Sequence, residues 1–222
     1  MNDYNCSRGE LHAMIEAKSR IKSNNITSMP LNIPILLTWL RVALIPLVVG
    51  VFYLPDEWLS PVGKDVASTI IFIVAAVTDW FDGYLARKWN ETSAFGAFLD
   101  PVADKLMVAG ALLVLVEFDR VNAVVAFIII GREIAISALR EWMAQIGASK
   151  SVAVSSLGKI KTVAQMVAIP MLLFNGTLFG VVSTVYWGSW LLGLAAVLTV
   201  WSMFYYMRKA WPLIKESAAR LG

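Results

Sequence analysis

Four aspartates, Asp79, Asp82, Asp100 and Asp104, lie in one stretch, "TDWFDGYLARKWNETSAFGAFLDPVADK" (Thr78 to Lys105), of a chain that is otherwise strongly apolar. Read as helix at about 100° per residue, Asp79, Asp82, Gly83, Ala86 and Arg87 form one contiguous stripe. Gly96, Asp100 and Asp104 recur at four-residue steps and share a row of the next helix. At about 1.5 Å per residue, Asp79 and Asp82 stand roughly 12 and 8 Å from Arg87, and Asp100 and Asp104 roughly 5 and 11 Å into the returning helix. Two antiparallel neighbours therefore bring four carboxylates to one level. Unneutralised, they repel one another and are poorly solvated, so cations, protonation or water must compensate. An all-oxygen set with no His or Cys suits a hard cation, Mg²⁺ or Mn²⁺, and argues against zinc; four acids suffice for two ions. Gly83, Ala86 and Gly96 interleave with the acids, which lets a bulky ligand approach the backbone closely. The competing reading of such small residues is close helix packing in a membrane.

The elements that must hold these acids are membrane helices. Of 222 residues, 58% are hydrophobic and 16% charged, and the mean hydropathy is +0.67, too apolar for an ordinary soluble domain. The expected fold is all-α: a polytopic membrane protein with a six-transmembrane-helix bundle, its spans near 35–54, 66–87, 97–117, 121–142, 160–178 and 186–207. Pro34 and Pro55 mark the ends of the first span, and Pro46 and Pro170 are expected kinks. Lys and Arg divide fourteen to two between alternate loops and tails, with Arg41, Lys105 and Arg132 inside spans; cytoplasmic loops carry the excess, so both termini are expected in the cytoplasm. Residues 1–31 read as a polar extension, amphipathic or disordered, 32–209 as the membrane domain and 210–222 as a cytoplasmic tail.

Composition also excludes chemistry. The one cysteine, Cys6, allows no intrachain disulfide, and the one histidine, His12, sits in the polar N-terminal segment, which lacks the apolar run of a signal peptide. Catalysis is therefore left to carboxylates, Lys, Arg or hydroxyls. The net charge of +3 is small and its basic residues form no aromatic-interleaved patch, so nucleic acid is not expected as a partner.

The spacing D-x2-D-G-x2-A-R-x8-G-x3-D-x3-D, met by Asp79, Asp82, Gly83, Ala86, Arg87, Gly96, Asp100 and Asp104, resembles the signature of the CDP-alcohol phosphotransferases. The likeness extends through "NIPILLTWLRVALIP", "GREIAISALREWMA" and "SVAVSSLGKIKTVAQMVA", and covers about residues 32 to 207. It implies a six-helix integral-membrane enzyme, typically a homodimer, in a bacterial-type inner membrane with its site open to the cytoplasm. The implied reaction moves a phosphatidyl group from CDP-diacylglycerol to sn-glycerol 3-phosphate and releases CMP. Carried over by position, Asp79, Asp82 and Asp100 bind metal, and Asp104 is a further ligand or the general base. The CDP site takes in Asp79, Asp82, Gly83, Ala86, Arg87 and Gly96.

A phosphorylated acceptor needs a cationic cradle. Arg132, Arg140 and Lys159 are the expected acceptor-phosphate residues, with Lys161 a weaker candidate; their competing role is positive-inside anchoring. Thr38 and Arg41 either touch the nucleotide or snorkel, and Glu133 and Glu141 read as pair partners or helix-surface groups. Nine tryptophans suit membrane interfaces better than a binding box. Two other readings compete: a synthase of the same family with inositol phosphate or serine as acceptor, and a cation transporter, since intramembrane carboxylates also mark ion paths. The motif spacing counts against the transporter.

Overall fold

The computed structural model describes residues 33–89, 94–146 and 156–221; the polar N-terminal extension lies outside them. Six α-helices carry these residues: α1 (Ile33–Gly50), α2 (Pro61–Trp89), α3 (Ala94–Glu117), α4 (Ala123–Gln145), α5 (Ser156–Phe174) and α6 (Thr184–Leu221). Three of them include stretches long and apolar enough to cross a membrane, Leu36–Tyr53, Pro61–Leu85 and Thr184–Pro212, and α5 contributes a shorter apolar stretch, Ile160–Phe174. The outer faces are as apolar as the interior: Ile70, Leu113, Phe127, Ile134, Val163, Trp190, Val197 and Trp201 are all exposed. A surface of that kind has no place in water and identifies the bundle as membrane-embedded.

Local chemistry moves several helix ends from their expected places. α1 stops at Gly50 and tightens into a 3₁₀ turn, Val51–Tyr53, because Pro55 drives Leu54 into extended backbone at φ −65° and ψ 148°. α4 begins on Asn122, whose side chain accepts from the Val124 amide at 2.8 Å, an N-cap that satisfies an otherwise orphaned donor. α5 ends at Phe174, earlier than residue 178, since Asn175 turns left-handed at φ 47°. A small antiparallel hairpin follows, β1 (Thr177–Leu178) paired with β2 (Val182–Ser183). α6 continues past residue 207 to Leu221, so the last expected span and the tail residues up to Leu221 form one helix.

The main core joins Val48 and Phe52 with Phe72 and Ala75 of α2, Met107, Leu112 and Leu115 of α3, Ile129 of α4, Leu172 and Leu173 of α5 and Leu192 of α6. A smaller cluster, Ile136, Met143 and Tyr206, packs α4 on α6. Within this apolar scaffold the polar side chains are gathered in two places. Among the described residues, one lies where α1 meets α2 and α3 and continues to α4, α5 and α6; the other lies at the opposite end of α2.

Candidate active site

Thr38 and Arg41 are three residues apart on α1, hence on one face, and they are 3% and 0% exposed. Leu36, Trp39 and Leu40 point away and are exposed. The buried face reaches the two acidic helices: the Arg41 guanidinium pairs with Asp79 of α2, and Thr38 Oγ1 donates to Asp100 Oδ1 of α3 at 2.9 Å. Placing an arginine at full burial is expensive unless its charge is met, and removing one member of such a pair typically costs about 3–5 kcal/mol. Arg41 thus anchors α1 to the acid cluster.

Three of the four expected acids lie within electrostatic reach of one another. The charges of Asp79 and Asp100 interact, and Asp104 feels both Asp79 and Glu133. Asp79 keeps 37% of its side chain exposed despite its guanidinium partner, so oxygen lone pairs remain for a ligand. Gly83 and Gly96 are half-buried beside them. The side chains of Asp82, Ala86 and Arg87 lie outside the described set, and among the described residues no group of three His, Cys, Asp or Glu side chains is close enough to hold a metal. The donor chemistry fits a hard divalent cation: Asp79, Asp100 and Asp104 offer carboxylate oxygen alone.

A second, basic cluster abuts the acids. Arg132 of α4 is 6% exposed; its Nη1 donates to Glu133 Oε1 at 3.3 Å and its Nη2 to Ser202 Oγ of α6 at 3.0 Å. Lys161 of α5, 3% exposed, pairs with the same Glu133 carboxylate. The guanidinium carbons of Arg132 and Arg140 stand 6.0 and 5.9 Å from the centroid of the buried Tyr206 ring. Arg132 Nε is buried with no hydrogen-bond partner among the described residues. An unmatched guanidinium donor is a standing demand for an acceptor oxygen. A cavity of about 50 Å³ lies between Asp104 of the acids and Glu133 of the second cluster, lined also by Lys105, Thr162 and Gln165 among others.

Arg132, Arg140 and Lys161 are therefore brought together, while the side chain of Lys159 lies outside the described set. Lys161, the weaker expectation, proves deeply buried. Sequence reasoning left Arg41 and Thr38 undecided, read Glu133 as a pair partner or helix-surface group, and passed over Gln165, Ser202 and Tyr206. A signal existed for the first two: a hydroxyl and a guanidinium one helical turn apart in an apolar run call for polar partners.

Comparison with known proteins agrees with the geometry. The family described as CDP-alcohol phosphatidyltransferase matches residues 31–201. A protein from Escherichia coli (strain K12) named CDP-diacylglycerol–glycerol-3-phosphate 3-phosphatidyltransferase is 54% identical over 184 residues, covering 82% of this chain and 96% of its own. A protein of the same name from Salmonella choleraesuis (strain SC-B67) is 52% identical over the same coverage. A match of this extent, across both the acidic motif and the basic helices that face it, establishes that the chain belongs to the CDP-alcohol phosphatidyltransferase family.

Proposed function

We propose that this protein transfers the phosphatidyl group of CDP-diacylglycerol to sn-glycerol 3-phosphate, forming phosphatidylglycerophosphate and CMP. The observation that carries the reading is the contact between two unlike half-sites: Asp104 of α3 and Glu133, the carboxylate shared by Arg132 and Lys161, line one cavity, and Arg132 Nε has no partner among the described residues. The acidic half suits a metal-bound diphosphate, and the basic half suits a phosphate dianion on the acceptor. The two relatives named for this reaction support the same choice of substrates.

In the proposed reaction the acceptor hydroxyl oxygen forms a bond to the phosphorus of the phosphatidyl group, the bond from that phosphorus to the CMP oxygen breaks, and the hydroxyl proton passes to a carboxylate. Asp104 lines the cavity between the half-sites and is assigned as that base. Arg132, Arg140, Lys161 and Lys159 orient the acceptor through its phosphate. Gly83, Ala86, Arg87 and Gly96 admit the CDP moiety beside Asp79 and Asp82. Asp79, Asp82, Asp100 and Asp104 would hold one or two Mg²⁺ or Mn²⁺ ions, which neutralise the diphosphate and stabilise CMP as a leaving group. Arg41 holds Asp79 and Thr38 holds Asp100, which limits how far either acid can swing. The wider proposal is a homodimer of six-span protomers, termini and site on the cytoplasmic side of an inner membrane.

The test is CMP release by purified protein with CDP-diacylglycerol and a panel of acceptors, with and without chelator. Release with glycerol 3-phosphate, abolished by EDTA and restored by Mg²⁺ or Mn²⁺, is the expected result. Release only with serine or inositol phosphate would reassign the acceptor, and no release with any acceptor would reject the transferase reading.

A further inference from the structure

One half-buried carboxylate has no part in the reaction as drawn. Glu133 is 25% exposed, and its Oε1 is shared between Arg132 of the same helix and Lys161 of α5. The charges of Arg132, Arg140 and Lys161 also interact with one another. Cations crowded at membrane depth repel and are badly solvated, so without a common anion they would spread apart. Three cations against one carboxylate leave two positive charges, the complement of a phosphate dianion. Donors remain for that phosphate: the carboxylate takes one N–H of a guanidinium that has five and one of an ammonium that has three, and Arg132 Nε is unpartnered among the described residues. Glu133 also lines the cavity that contains Asp104, so the position of the cations relative to that acid is fixed at the same point.

We propose that Glu133 is a positioning residue of the acceptor site: its shared carboxylate sets the spacing of Arg132 and Lys161 so that both meet the acceptor's phosphate. It acts through those two cations and touches no reacting atom. The inference rests on the assignment of Arg132 and Lys161 to the acceptor phosphate.

The experiment measures initial CMP release by the full-length protein in detergent, with CDP-diacylglycerol and glycerol 3-phosphate varied separately. Glu133→Gln, nearly equal in shape, is expected to raise KM for glycerol 3-phosphate about tenfold and to leave KM for CDP-diacylglycerol within about twofold. Glu133→Asp keeps the charge on a shorter arm and gives an intermediate KM, which reads out the same claim if the amide variant folds poorly. In a Lys161→Met background, Glu133→Gln adds less than about twofold, because the cation it holds is already gone. Glu141→Gln, an exposed neighbour on α4, serves as the silent control. An unchanged KM for glycerol 3-phosphate, equal rises for both substrates, or full additivity with Lys161→Met would overturn the proposal. Failure of the underlying assignment looks different: Arg132→Ala would then leave KM for glycerol 3-phosphate unaltered, and both ideas would fall together.

Discussion

Helix α2 carries two aspartate–arginine pairs of the same chemistry, Asp65 with Arg120 near its start and Asp79 with Arg41 near its end. The first is closed. Arg120 Nη2 donates to Asp65 Oδ1 at 2.7 Å, Nη1 donates to the carbonyls of Leu173 at 2.9 Å and Leu172 at 3.4 Å, and Asn175 Nδ2 approaches Asp65 Oδ2 at 3.4 Å. The guanidinium also lies over Phe52 and Phe118. Both oxygens of that carboxylate are engaged, and the arginine caps the last carbonyls of α5. The second pair is open: its arginine is fully buried, but its aspartate is 37% exposed and shares its surroundings with Asp100 and Asp104. A saturated pair locks elements together, whereas an unsaturated one keeps oxygens available for a ligand.

Substitutions should separate the two ends of α2. The largest effect is expected at the open end: Asp79→Asn or Asp104→Asn should lower kcat/KM for CMP release by about a thousandfold or more, and Asp104→Asn, which leaves the Arg41–Asp79 pair intact, should do so with the thermal midpoint of the purified protein little changed. Near-normal turnover by Asp104→Asn with metal binding intact would remove that residue from the base role. At the closed end, Arg120→Met strands Asp65 without its partner and should cost about 3–5 kcal/mol of stability, read as a lower thermal midpoint in detergent, while the folded fraction keeps its turnover. A loss of turnover there without a loss of stability would erase the distinction.

Two smaller effects refine it. Arg132→Ala removes a charged donor from the basic cluster and should raise KM for glycerol 3-phosphate by roughly ten- to a hundredfold, with little change for CDP-diacylglycerol. Thr38→Val deletes one hydrogen bond to Asp100 and should lower kcat/KM about fivefold, the equivalent of about 1 kcal/mol. If Thr38→Val instead matched the aspartate variants, α1 would belong to the catalytic machinery itself.

How much of this was written in the chain depends on the range of the interaction. The acids were readable because helical phase is local: four-residue steps put Asp100 and Asp104 on one row wherever the helix sits. The membrane class was readable because composition needs no geometry. Pairings across helices were not readable. Nothing in the spacing of Asp65 and Arg120 announces that a loop after α3 reaches back to the start of α2, and nothing near Glu133 says that its charge is shared with a lysine on another helix. Helix ends were displaced by single residues, as Pro55 and Asn175 illustrate, where turn chemistry overrode hydrophobic run length.

Gly188 lies far from all this polar chemistry, yet it governs the gap between α5 and α6. A Cβ added there would stand 2.9 Å from Leu172 Cγ and 3.2 Å from the Ala168 carbonyl oxygen, so the glycine permits near-contact of the two backbones. The same two helices carry Lys161 on one arm and Ser202 and Tyr206 on the other. They work like tweezers whose pivot is a missing methyl group: the tips grip the residues of the proposed acceptor cradle, and any bulk at the pivot is felt as a wider grasp.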